Sequence, residues 1–134
     1  MTANSLVFVD SQLDNLATLL CHTPPSAQVV VLEKAHDAVE QILTTLAQTT
    51  SVGDLHWVCH GEAGKLHFGE TVLDEAALEH RAEELTEIGR VLASSGAAIW
   101  LYGCHVAEGA KGRDFVRALS KATGATVRAA THPV

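Results

Sequence analysis

The sequence has few aromatic residues, few basic residues and no long hydrophobic run. Only 4% of its 134 residues are aromatic, whereas 47% are hydrophobic, so a core has to be built mostly from Leu, Val, Ala and Ile. Nine basic residues stand against sixteen acidic ones, which gives a formal net charge of −7. Such a charge repels phosphate backbones and anionic lipids. We therefore expect one globular domain over residues 1–134 with no nucleic-acid partner.

The cysteines do not form the pattern of a disulfide framework. Cys21, Cys59 and Cys104 are odd in number and widely spaced, unlike the cysteines of small secreted scaffolds. The apolar run at residues 6–9 is interrupted by Asp10 and has no basic region before it, so it is too short for a signal peptide or a membrane span. We expect a cytoplasmic chain without membrane insertion, unless the sequence is a fragment of a longer protein.

Short apolar runs rich in β-branched residues recur along the chain. Their near-continuous hydrophobicity is typical of strands in a parallel sheet that is covered on both faces. The predicted strands are residues 6–9, 29–32, 55–59, 98–102 and 125–129. His56, Trp57 and Trp100 lie on these strands, and we interpret them as packed residues rather than ligands.

Helical patterns lie between the predicted strands. Apolar residues at helical spacing predict helices at residues 11–20, 36–47, 74–93 and 111–123, the last of which would end at Gly124. A small β-hairpin at residues 64–69 and 71–73 is predicted after the third strand. Strands that alternate with helices predict an α/β fold with an open, doubly wound, mainly parallel sheet.

Chemically versatile residues follow three of the predicted strands: Asp10 the first, His60 and Gly61 the third, and Cys104 the fourth. In an open parallel sheet, ligands bind beyond the carboxyl ends of the strands. A thiolate is the nucleophilic form of cysteine, and a neighbouring imidazole can accept the thiol's proton. This pattern indicates Cys-His hydrolysis with His60 as base and Cys104 as nucleophile. The backbone N–H groups of Gly61 and Cys104 are the candidate oxyanion donors.

Three peptides carry a resemblance to a known family: Val-Cys-His-Gly at residues 58–61, Leu-His-Phe-Gly at 66–69 and Leu-Tyr-Gly-Cys at 101–104. Together they resemble the bacterial DUF4347 family, which is grouped by similarity with the caspase-like (clan CD) cysteine peptidases. The order of His60 before Cys104, at a separation close to the roughly 50 residues of caspases, agrees with this. Two positions depart from the family pattern, since Cys59 replaces its usual Ser and His105 its common Asn.

The resemblance implies a caspase-like three-layer αβα sandwich with a His60–Cys104 dyad and no cofactor. It also implies a cysteine endopeptidase that processes a large bacterial surface or secreted protein. The substrate would be a peptide or protein, including the chain's own downstream sequence, and the location would then be the cell surface or outside. Asp10 is a candidate substrate-binding residue, because arginine-specific relatives use a carboxylate to bind the substrate guanidinium. Its simpler role is a helix cap.

Two alternatives remain open. A catalytically inactive peptide- or protein-binding module would use the same rim of the same fold. The dipeptides Cys59-His60 and Cys104-His105 also supply residue types that bind zinc. Adjacent residues on a strand point to opposite faces, however, so all four would converge only if the turns redirect two of them. Our first expectation is therefore no metal site.

Overall fold

The described residues include eight strands, which form two sheets. The computed structural model describes residues 4–10, 28–33, 36–49, 52–68, 71–93, 96–102 and 109–129, with the backbone alone at Asn4 and His60. The strands are β1 Asn4–Asp10, β2 Gln28–Leu32, β3 Val52–Val58, β4 His60–Glu62, β5 Lys65–Phe68, β6 Thr71–Leu73, β7 Ala98–Leu101 and β8 Thr126–Ala129. A five-stranded sheet has the order β2-β1-β3-β7-β8, and β4-β5-β6 form a second sheet. All neighbouring strands of the larger sheet are parallel.

The parallel sheet confirms the predicted α/β fold, with one shift at the third strand. β3 runs from Val52 to Val58, so it begins before the predicted residue 55 and ends before Cys59. Its polar Asp54 resembles a turn residue in the sequence. In the structure the Asp54 carboxylate accepts hydrogen bonds from the Ala98 backbone N–H at 2.9 Å and from Trp100 Nε1 at 3.2 Å. Because both carboxylate oxygens have donors, the strand tolerates this polar residue.

Four helices are described: α1 Ala38–Ala47, α2 Glu75–His80, α3 Ala82–Ala93 and α4 Gly109–Thr123. The Asp37 side chain caps α1 by accepting a hydrogen bond from the Val39 N–H at 2.9 Å. As predicted, α4 is followed by Gly124, whose φ is +74°, and its N–H donates to the Ser120 carbonyl. The predicted helix at residues 11–20 lies outside the described residues. Within the described part of the chain, no helix is long and apolar enough to cross a membrane.

The prediction of one continuous helix at residues 74–93 is wrong, because Arg81 divides this segment into α2 and α3. Arg81 has φ −109° and ψ 22°, outside the helical range. Its guanidinium forms an ion pair with Asp37 at 2.8 Å, so the break connects this helical segment to the N-cap of α1. The apolar spacing continues through residue 81 and therefore gives no sign of the break.

The two faces of the parallel sheet carry different residues. Side chains alternate along each strand, and cross-strand register groups them into faces. On the helix face, apolar residues pack into one cluster with side chains of α1, α3 and α4; the fully buried strand members are Leu6, Phe8, Leu55, Trp57, Ile99 and Leu101. The second face carries Val7, His56, Trp100 and Arg128 in one row across four strands. The layering on the helix face is consistent with a three-layer sandwich.

The predicted hairpin after the third strand is present and has an additional strand. β5 pairs antiparallel with both β4 and β6, and Leu66, Phe68 and Leu73 join the main core. Gly64 turns the chain between β4 and β5 with φ +77°. A Cβ at this position would lie 3.1 Å from the Lys111 carbonyl oxygen, so the hairpin turn packs on the first part of α4.

Gly89 of α3 lies against the backbone of Thr123 at the end of α4. A Cβ added to Gly89 would lie 1.4 Å from the carbonyl oxygen of Thr123. Only hydrogen fits there without a backbone shift. This contact fixes the separation of the two helices.

We predict that Gly89→Ala lowers the free energy of unfolding by about 1–3 kcal/mol, the usual cost of an overpacked site. At an exposed position within a helix, the same substitution would instead raise the free energy of unfolding by up to about 1 kcal/mol. Urea denaturation measures the difference. Thr86→Ala is the control, because it lies on the same helix and loses only a 3.4 Å hydrogen bond to Ala122. A Gly89→Ala variant as stable as the native chain contradicts the close approach.

Candidate functional site

The carboxyl ends of β1, β3 and β7 lie side by side. Val9 is paired with Val58 and Trp57 with Leu101. The ladder between β3 and β7 continues for one more bond, since the Tyr102 N–H donates to the Trp57 carbonyl at 2.9 Å. The carboxyl ends of the three strands therefore lie at the same edge of the sheet.

The predicted dyad is only partly within the described residues. The His60 backbone begins β4 and is paired with His67 on β5, whereas Cys104 and His105 lie outside the described residues, as does Cys21. Gly61, a predicted oxyanion donor, lies within β4 opposite Leu66. The meeting of His60 with Cys104 thus stays a prediction, and so do the oxyanion roles of Gly61 and Cys104.

Asp10 and Cys59 form a buried pair at the ends of β1 and β3. Their exposed fractions are 1% and 2%. Burial is the main cause that raises the pKa of the Cys59 thiol far above its ordinary value, and the nearby Asp10 carboxylate raises it further. A hydrogen bond from the His67 backbone acts in the opposite direction. The Cys59 thiol is therefore protonated and unreactive at neutral pH.

The buried Asp10 and Cys59 are the residues concerned in two hypotheses drawn from the sequence, which are a zinc site and substrate binding by Asp10. Zinc binds the thiolate form of cysteine, and the hypothetical zinc site stays a prediction because two of its four residues, Cys104 and His105, lie outside the described residues. The described residues contain no group of three or more His, Cys, Asp or Glu side chains able to hold a metal ion. Substrate binding by Asp10 stays a prediction, and a guanidinium would have to reach a carboxylate that is 1% exposed.

A polar and aromatic cluster lies on the second face, close to the same edge. His56 Nδ1 and Tyr102 Oη share a hydrogen bond of 3.0 Å. The His56 ring stacks on Trp100 at a centroid distance of 6.3 Å and an interplanar angle of 12°. Arg128 Cζ lies 5.6 Å from the Trp100 ring centroid, and Asp54 binds the indole N–H.

Burial sets the protonation of this cluster. Desolvation lowers the pKa of His56, although the Asp54 charge acts in the opposite direction. Desolvation also raises the pKa of Tyr102, and Asp54 adds to this increase. Both side chains are therefore uncharged at neutral pH. The packing of His56 agrees with our interpretation of the sequence, but the sequence analysis does not predict its hydrogen bond to Tyr102. The signal that could have indicated it is the alternation of side chains along the strands, which puts both residues on the same face of the sheet.

One known protein family matches nearly the whole chain. Residues 6–134 match the family described as "Domain of unknown function (DUF4347)". The chain belongs to this family. No curated protein and no solved structure matches the DUF4347 chain.

We predict that the buried Cys59 thiol makes the domain less stable at alkaline pH. The unfolded chain loses this proton above about pH 8.5, whereas the folded chain keeps it, so the free energy of unfolding falls by up to about 1.4 kcal/mol per pH unit. Below that pH, this contribution is fully present. Urea denaturation between pH 7 and 10 should give a shallower decline for Cys59→Ala than for the native chain.

The control is Val58→Ala, which removes a neighbouring buried side chain without a titratable group. Its decline with pH should match the native slope even though its stability is lower throughout. Equal slopes for the native chain and Cys59→Ala would contradict the burial of a protonated thiol.

Proposed function

We propose that this DUF4347 domain is a caspase-like cysteine peptidase in which His60 is the base and Cys104 the nucleophile. The observation that supports this most directly is the register of β3 and β7. His60 and Cys104 each follow by three residues the paired positions Trp57 and Leu101. Neighbouring strands are about 4.8 Å apart, so two segments that leave them at equal offsets begin within reach of each other.

Side-chain alternation adds a second line of support. Cys59 packs into the core on the helix face, whereas His56 and Tyr102 contact each other on the second face. In the sequence, His60 and Cys104 follow His56 and Tyr102 by four and by two residues, so the two members of the proposed dyad have the same parity. The equal offset thus agrees with the equal parity of the two residues.

The burial of the Cys59 thiol favours Cys104 over Cys59 as the nucleophile. Because its thiol is buried and protonated, it is a poor competitor for the nucleophilic role. Cys104 follows a strand end at a glycine, Gly103, where the backbone can approach a substrate closely. The sequence and the packing therefore favour the same thiol.

The proposed reaction is peptide hydrolysis in two stages. His60 accepts the proton of the Cys104 thiol, and the sulfur attacks the peptide carbonyl carbon. The N–H groups of Gly61 and Cys104 would stabilise the oxyanion. The amine leaves with a proton from His60, and water then releases the acid from the thioester. A natural substrate would be a bacterial surface or secreted protein that contains the domain, which would make the reaction autoprocessing.

We predict that iodoacetamide modifies Cys104 at least tenfold faster than Cys59 at pH 7, because a neighbouring imidazole increases the thiolate fraction. His60→Ala should slow modification of Cys104 by about tenfold or more. Peptide mapping by mass spectrometry measures each site separately. His80→Ala is the matched control, since His80 is exposed on α2 and should leave the rate unchanged. A Cys104 rate that does not depend on His60 contradicts the dyad.

We also predict cleavage that depends on Cys104. The domain is incubated and analysed by mass spectrometry, alone and with a peptide library. Cleavage should disappear in Cys104→Ala and persist in Cys59→Ala. Peptides that bind the intact domain without being cut would instead favour an inactive binding module.

A further inference from the structure

Side chains connect β3 and β7 at both ends of their shared ladder. At the amino end, the Asp54 carboxylate on β3 binds the Ala98 N–H and the Trp100 indole N–H of β7. At the carboxyl end, His56 of β3 bonds to Tyr102, the residue that follows β7. The second of these connections lies at the carboxyl ends of the two strands, which His60 and Cys104 follow in the sequence.

Tyr102 is held by both its backbone and its side chain. Its N–H donates to the Trp57 carbonyl at 2.9 Å, and its hydroxyl lies 3.0 Å from His56 Nδ1. The two rings also contact each other, with centroids 5.7 Å apart. Tyr102 is therefore fixed in position and in orientation relative to β3.

The partner of Tyr102 is itself held in one orientation. The His56 imidazole is 9% exposed and stacks on Trp100. Trp100 is in turn fixed by its bond to Asp54 and lies beside the Arg128 guanidinium. Because each ring is fixed by a neighbour, the Tyr102 hydroxyl has a rigid partner.

We propose that His56 and Tyr102 are positioning residues, which set the place of Cys104 relative to His60 by joining the two chain segments at the sheet edge. The inference rests on the proposed peptidase function. Gly103 alone separates Tyr102 from Cys104, and two residues of fully extended chain span at most about 7 Å. The position of Cys104 therefore depends on how firmly Tyr102 is held, and displacements near 1 Å can cost about a hundredfold in rate.

The test is the rate of Cys104 alkylation by iodoacetamide between pH 5 and 10 in Tyr102→Phe, which removes the hydroxyl and keeps the ring. We expect the rate at pH 7 to fall at least fivefold. The midpoint of the rate profile should move towards about 8.5, the value of an ordinary thiol. Ser120→Ala is the matched control, because it also removes one hydroxyl hydrogen bond, to the Ala125 carbonyl. Both variants should lower the urea midpoint similarly, whereas only Tyr102→Phe should change the alkylation profile.

A pair of substitutions at His56 provides a rescue measurement. The amide of Asn can occupy the position of the imidazole Nδ1, so His56→Asn should keep most of the Cys104 rate. His56→Leu cannot bond to the hydroxyl and should slow the rate as Tyr102→Phe does. Combining His56→Leu with Tyr102→Phe should add little, because both remove the same bond.

The outcomes separate this inference from the proposed function. A native chain whose Cys104 rate does not depend on His60 overturns both. A native rate that depends on His60 but is unchanged in Tyr102→Phe overturns the positioning role alone. Equal rates in His56→Asn and His56→Leu also overturn it, and this comparison remains decisive if Tyr102→Phe fails to fold.

Discussion

The pairing of β3 with β7 is the constraint on which the candidate site depends. These strands are distant in sequence, and their ladder extends one bond past the strand end through Trp57 and Tyr102. Parallel strands present their carboxyl ends at the same edge of a sheet. The proposed approach of His60 to Cys104 depends on this ladder, because each of the two residues follows one of its strands in the sequence.

The side chains on the two faces of the β3–β7 pair are stabilised by different interactions. On the helix face, Leu55 and Leu101 need only apolar neighbours, which α1, α3 and α4 supply. On the second face, Asp54 and His56 are polar groups inside a sheet, and burying them is costly unless each has a partner. Their bonds to β7 and to Tyr102 supply those partners. The polar side therefore specifies one register of the two strands, whereas the apolar side mainly stabilises it.

The sequence predicts the parts of the fold that rest on local patterns. The β-branched runs give the strands of the parallel sheet, and Gly124 marks the end of α4, because hydrophobic period and turn chemistry are local properties. The start of β3 and the break at Arg81 depend instead on distant partners, Trp100 and Asp37. The strand β4 has little strand propensity in its own His-Gly-Glu sequence and exists through its pairing with β5.

The difference in reactivity between the cysteines is the property of the candidate site that the sequence predicts least well. In the sequence, Cys59 and Cys104 look equivalent, since each precedes a histidine at the end of an apolar run. In the fold, Cys59 belongs to the core and lies beside the Asp10 carboxylate, so burial and charge both keep its proton in place. The surroundings of Cys59 come from residues that are distant in the sequence, such as Asp10 on β1 and the apolar residues of the core. A local sequence pattern does not contain this information, and it therefore does not separate a buried thiol from a candidate nucleophile.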